Sequence, residues 1–87
     1  MKKLTFIVSD VGKSLAFEWL ALHLRSEYQL SFVLLSQKDT QLERFLADNR
    51  ITHLIVDHRG FFSILNNFFQ LLSFLRKEEP QIVHAHL

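Results

Sequence analysis

The stretch EEPQIVHAHL, residues 78–87, decides how the chain folds. Pro80 lacks the amide a continuing helix would use, and it disfavours the helical region for Glu79 before it, so the long helical pattern upstream must end there. Gln81 to His86 follows at once as an apolar strand pattern carrying two histidines. A helix that runs directly into a strand is the closing half of a β-α-β unit.

The same alternation runs back to the start of the chain. Strand patterns occupy residues 4–9, 30–35, 51–56 and 81–86, and helical patterns occupy 13–26, 40–48 and 61–79. In the first helix Ala16, Trp19, Leu20 and Leu24 recur at the spacing of a core face, with Ser14, Glu18 and Arg25 on the other side. The second opens on Thr40-Gln41-Leu42-Glu43, a capping box in which hydroxyl and carboxylate can satisfy free amides reciprocally. The third has ten apolar residues among its first fifteen, and its polar positions 63, 66, 67, 70 and 73 form one narrow stripe, more apolar face than one sheet contact requires.

Strands alternating with helices predict an α/β, Rossmann-like βαβαβαβ unit with a four-stranded parallel sheet and right-handed crossovers. Phe6-Ile7-Val8, Phe32-Val33-Leu34-Leu35 and Ile82-Val83 are continuous apolar runs, as strands covered by helices on both faces should be. Doubly wound strand order is 3-2-1-4, with the topological switch point between strands 1 and 4. Ligands are expected at the carboxyl edge there, among residues 10–14, 36–39 and 57–60 and the loop after His86.

Composition narrows the function classes. A chain of 87 residues makes one small domain, and a domain of that size buries only roughly 60–65% of the surface its unfolded chain exposes, so its stability is marginal. Ten Lys and Arg against nine Asp and Glu give a formal charge of +1, with no basic footprint for nucleic acid. Without cysteine there is no disulfide framework or Cys-based metal site, which agrees with a reducing cytoplasm. The apolar run at residues 4–8 is too short for a signal-peptide core. Residues 61–75 are interrupted too often for a membrane span, which needs about 20 mainly apolar residues.

The turn Ser9-Asp10-Val11-Gly12-Lys13-Ser14 suggests a phosphate site, but a P-loop needs a glycine five positions before Gly12, and Ile7 stands there. The dinucleotide fingerprint G-x-G-x-x-G is also absent. Gly12 still permits close backbone approach, and the amides opening helix 1, with Lys13, favour an anionic or hydroxyl-rich group; the plainer reading is a turn at Gly12 with Ser14 as cap. His84 and His86 share one strand face, yet no further ligands accompany them, so a metal site is not expected. His84 is expected to pack against a helix, while His86, nearer the carboxyl end, could bond a ligand hydroxyl or act as a base. Asp57-His58-Arg59-Gly60 is read as a solvated loop in which Arg59 could meet an anion. His23 and His53 read as structural.

Three segments in this order carry a family resemblance: LTFIVSDVGKSLAFEWLALHLRSEYQLSFVLL (4–35), ERFLADNRITHLIV (43–56) and FFQLLSFLRKEEPQIVHAHL (68–87). Together they resemble the start of the N-terminal domain of family 4 glycosyltransferases, the retaining GT-B enzymes. The most specific piece is LLSFLRKEEPQIVHAHL, similar to the family's helix followed by Pro-Asp-Ile-Val-His-x-His. The resemblance implies two Rossmann-like domains across a cleft, with the sugar or lipid-linked acceptor held mainly by the first and the nucleotide-sugar donor mainly by the second. It implies no cofactor and no bound metal ion. Val11, Gly12, Lys13, His84 and His86 map to the acceptor side, with His86 the candidate catalytic residue. The family usually has a longer turn with paired glycines, where this chain has only Gly12. Tyr28-Gln29-Leu30 replaces a common Gly-His-x-Val entry to strand 2.

By that resemblance the chain is a fragment of an acceptor-side domain, inactive alone, cytoplasmic and peripheral at the membrane when its acceptor is lipid-linked. Strand 4 would present an open edge for self-association. The broad apolar face of helix 3 would be covered by other protein segments in preference to a membrane surface. A reading from another class is a stand-alone, non-catalytic binding module of receiver-like layout, for which Asp57 ends strand 3 but Asp10 is alone after strand 1. A metal-dependent hydrolase fragment built on His84 and His86 lacks the remaining ligands.

Overall fold

The computed structural model describes residues 2–9, 11–56 and 61–86, with only the backbone described for Val11 and residues 61–67. The elements in chain order are β1 (Lys2–Val8), a 3-10 turn (Val11–Lys13), α1 (Ser14–Leu24), β2 (Tyr28–Leu34), α2 (Gln41–Asp48), β3 (Thr52–Ile55), α3 (Phe61–Glu78) and β4 (Ile82–His86). The strands form one all-parallel sheet in the order β3-β2-β1-β4. This is the doubly wound order that the alternating pattern predicts. A receiver-like sheet places strand 3 beside strand 1; here β3 lies outside β2.

β1 and β2 each begin two residues before their apolar runs, because Lys2 pairs with Tyr28 and Lys3 with Gln29. Backbone pairing there needs no apolar side chain. The register puts Leu4, Phe6 and Val8 beside Leu30, Phe32 and Leu34 on one face. That face forms the main core with Phe17 and Ala21 of α1, Leu42 and Leu46 of α2, and Ile51. Phe6 stacks on Phe32 at 4.9 Å between centroids and meets Phe17 edge-on at 6.4 Å.

The buried stripe of α1 is Ser14, Phe17 and Ala21, flanked by the partly buried Leu20 and Leu24. Ala16 and Trp19, expected on the core face, lie on the solvent side, with Trp19 59% exposed. The reason is compositional. Apolar residues encircle this helix, so several faces have the right spacing, and the one chosen is the one Phe6 can reach.

On the opposite face Thr5 and Ser31 are register partners, both buried, with their hydroxyls 2.7 Å apart. One hydroxyl donates to the other. α3 lies on this side, where Leu54 shares a groove with Phe69, Gln70, Ser73, Phe74 and Lys77. Phe68 and Phe69 remain more than half exposed, consistent with the excess apolar surface anticipated for this helix.

The helix ends follow local chemistry. Thr40 caps α2 by accepting from the Glu43 amide at 3.2 Å. The Glu43 carboxylate reaches one residue further back than a standard capping box and accepts from the Asp39 amide. At the other end Arg50 N–H donates to the Ala47 carbonyl (3.1 Å) and Ile51 N–H to that of Leu46 (2.9 Å), a Schellman closure. Buried Leu46 and Ile51 supply its apolar contact. Arg50 occupies the left-handed position, φ 56°, that glycine would favour. After α3, Glu79 leaves the right-handed helix at φ 48°, a left-handed turn rather than the extended region that a following proline favours.

Two outcomes follow from this packing. Arg50→Gly should raise stability by about 0.5–1 kcal/mol, since a side chain in the left-handed region costs roughly 1–2 kcal/mol and glycine's added chain entropy offsets part of the relief; thermal unfolding with an unchanged or lower midpoint contradicts this. Thr5→Val should cost about 1–3 kcal/mol by leaving the Ser31 hydroxyl buried and unpaired, whereas the double variant with Ser31→Ala should regain much of that loss. Denaturant titrations in which the two substitutions are simply additive would overturn the pairing argument.

Candidate ligand cleft at the carboxyl edge

β1 and β4 meet at the switch point. Val8 is the register partner of His86, and Ser9 N–H donates to the His86 carbonyl at 3.1 Å, so the two strands stay paired to their carboxyl ends. The 3-10 turn Val11–Lys13 leaves β1 immediately afterwards and opens α1. Gly12 and Lys13 are exposed. The topology therefore brings the Gly12 turn and His86 to one edge of the sheet.

The N-cap of α1 is Lys13, whose side chain makes no capping hydrogen bond. Ser14, read from sequence as the cap, is instead the first helical residue and is buried, and its hydroxyl donates to Glu18 Oε2 at 2.7 Å. The same carboxylate oxygen accepts from Gln41 Nε2 at 2.9 Å, tying α1 to the first turn of α2. Sequence reading placed Glu18 on a solvated face. Its role as the link between two helix starts depends on a side-chain contact that helical periodicity does not encode.

His84 and His86 lie on the same sheet face as Phe6 and Val8, their register partners. The two rings differ in setting. His86 is half-buried and meets Phe17 of α1 edge-on at 5.5 Å and 72°. His84, expected to pack under a helix, is exposed and leans on Phe6 across the strands at 5.5 Å and 67°. Leu20 and Leu24 of α1 approach only as the far wall of a groove of ≈ 350 Å³ that also touches Phe6, Ile82 and His84. It is His86 that rests against a helix.

Among the described residues no group of three or more His, Cys, Asp or Glu side chains could hold a metal ion. His23 donates from Nδ1 to the Trp19 carbonyl at 2.9 Å and stacks on the Trp19 ring. His53 donates from Nδ1 to the Ile51 carbonyl at 2.9 Å. Both serve their own elements, as expected. Asp10 and the cluster Asp57-His58-Arg59-Gly60 lie outside the described residues. No helix among the described residues is long and apolar enough to cross a membrane.

Chemically, the edge offers an exposed turn without a side chain at Gly12, the basic Lys13, the amino end of α1, and an imidazole held in place by an aromatic neighbour. Such a set can bind a hydroxyl-rich or anionic group and orient one hydroxyl at His86. No family model, curated protein or solved structure matches this chain.

Proposed function

We propose that this chain is the opening part of the acceptor-side domain of a nucleotide-sugar-dependent glycosyltransferase of the GT-B type. The observation that carries the reading is the pairing of Val8 with His86, which sets the Gly12 turn and the histidine-bearing strand at one switch point. The resemblance of residues 71–87 to the family's helix, proline and His-x-His strand supports it in sequence. In the parent reaction an acceptor oxygen bonds to the sugar's anomeric carbon as the nucleotide diphosphate departs. His86 is the residue of this chain assigned to the acceptor hydroxyl, and Val11, Gly12, Lys13 and His84 form its surroundings. Donor binding and most of the electrostatic stabilisation of the departing diphosphate belong to a second domain, so these residues bind without transferring. The reading places the parent in the cytoplasm, peripheral to a membrane where the acceptor is lipid-linked.

The coding region downstream of Leu87 tests this directly. A frame running on into a second Rossmann-like domain with a donor-binding motif is the expected result, whereas a stop codon at that point would remove the catalytic reading. Sugar transfer by the 87 residues alone would contradict the division of labour between domains.

The outer edge of β4 carries its own consequence. Ile82 and Val83 are 42% and 48% exposed, and the strand contains neither a lysine nor a proline to blunt pairing. The isolated chain should self-associate through this edge, with sedimentation coefficients that rise with concentration. Ile82→Lys should shift the distribution toward monomer. A strict monomer at high concentration would refute the edge as a pairing site.

A further inference from the structure

The edge of the sheet opposite the proposed acceptor cleft holds a second cavity. It opens at the starts of β2 and β3 with a volume of ≈ 460 Å³, within the range of small-molecule sites. Two cations line it. Arg25 follows α1 and Arg50 follows α2, and the cavity between them is also bounded by Tyr28, Gln29, Asn49 and Thr52. Among the described residues no Asp or Glu lines it.

Helix ends alone do not account for this charge. In a parallel sheet the helices run back against the strands, so the carboxyl ends of α1 and α2 both point to this edge, each contributing about half a negative charge. Two guanidiniums outweigh those half charges, with the carboxylates of Glu27 and Asp48 standing at the same two helix ends. The α2 end is moreover already satisfied, because the Leu46 and Ala47 carbonyls accept the Ile51 and Arg50 amides. Lys2, the register partner of Tyr28, adds an exposed ammonium at the same edge.

The backbone adds a second, independent observation. Arg50 stands at φ 56°, where glycine would close the helix without steric cost. Asp39 and Glu79 share the left-handed region, at φ 64° and 48°; what sets Arg50 apart is that its side chain lines the cavity. Arg25 is held toward its partner by donating from Nη1 to Asn49 Oδ1 at 3.4 Å.

We propose that this cavity binds a small anion of the diphosphate type, gripped between the Arg25 and Arg50 guanidiniums. Each planar fork can give two parallel N–H donors to phosphate oxygens, and the Thr52 and Tyr28 hydroxyls supply neutral donors around them; Asn49 serves only to position Arg25, since its Nδ2 donates to the Phe45 carbonyl at 2.9 Å. Two forks facing one ligand suit a group with several phosphate oxygens, a diphosphate or a phosphorylated small molecule. The site lies across the sheet from Gly12 and His86, so it stands or falls separately from the transferase reading.

The test is a pyrophosphate titration of the 87-residue chain at constant ionic strength, followed by amide chemical shifts. Saturable shifts confined to residues 25, 28, 29 and 49–52 are expected. A nucleoside diphosphate run in parallel distinguishes a site for the bare diphosphate from one that also accepts a base and sugar, by weaker or tighter binding at those same amides. Arg50→Gly and Arg25→Gln should each weaken binding about tenfold, the loss typical of one charge-assisted contact, while the distant Lys38→Gln should leave it unchanged. Because Arg50→Gly relieves backbone strain, a loss of binding in that better-folded variant separates recognition from stability. Linear, unsaturated shifts, shifts centred on Gly12 and Lys13, or full binding by Arg50→Gly would each overturn the proposal.

Discussion

Phe6 lies where four elements meet: it stacks on Phe32 of β2, takes Phe17 of α1 edge-on, and receives His84 of β4 on its remaining side. β1 is hydrogen-bonded along both edges, so the backbone carrying this ring is held by the sheet on either side. The other assignments follow from it. Once Phe6 faces α1, alternation sends Leu4 and Val8 the same way, turns Thr5 to the α3 face, and places His84 and His86 beside the α1 side of β4. Truncating a buried phenylalanine costs about 3–5 kcal/mol. For a domain whose whole stability is on the order of 5–15 kcal/mol, that is a large share.

This arrangement also explains the two different edges. Parallel strands collect their carboxyl ends, with the amide-bearing helix starts, on one side, and their amino ends, with the helix carboxyl ends, on the other. The first side holds Gly12, Lys13 and His86, suited to hydroxyl-rich or anionic groups through fixed dipoles. The second is electronegative by backbone and carries the side chains of Arg25, Arg50 and Lys2. The fold thus separates two regions by the length of the strands and gives each its own chemistry.

The alternation of elements was legible because breakers and apolar runs are local signals. Pro80, the Thr40 to Glu43 cap and the apolar cores of β1 and β2 mark boundaries without reference to the rest of the chain, and sheet order follows from the doubly wound pattern. The face of α1 was not legible, since Leu15, Trp19 and Leu22 compete with Phe17 and Ala21 on a helix apolar all round. Nor was the role of Ser14, because a hydroxyl at a helix start can cap it or, as here, turn inward to a carboxylate one turn later. In the cleft, Gly12 and His86 could be placed from sequence because strand ends dictate where they lie. Arg25 and Arg50 escaped notice because they are distant in sequence and meet only when β2 and β3 pair. The left-handed Arg50 also carries no sequence mark of its own, as a glycine there would.

The central claim is that β1 lies between β2 and β4, with Phe6 as the contact shared by both. Nuclear Overhauser spectroscopy on the labelled chain tests it most directly, through the aromatic protons of Phe6 and the amides flanking it. The account predicts cross-peaks from Phe6 to both Phe32 and His84, together with Ser9 amide contacts to His86. Contacts from Phe6 to the β3 residues His53 or Ile55, with none to His84, would place strand 3 beside strand 1 and contradict the fold on which both sites depend.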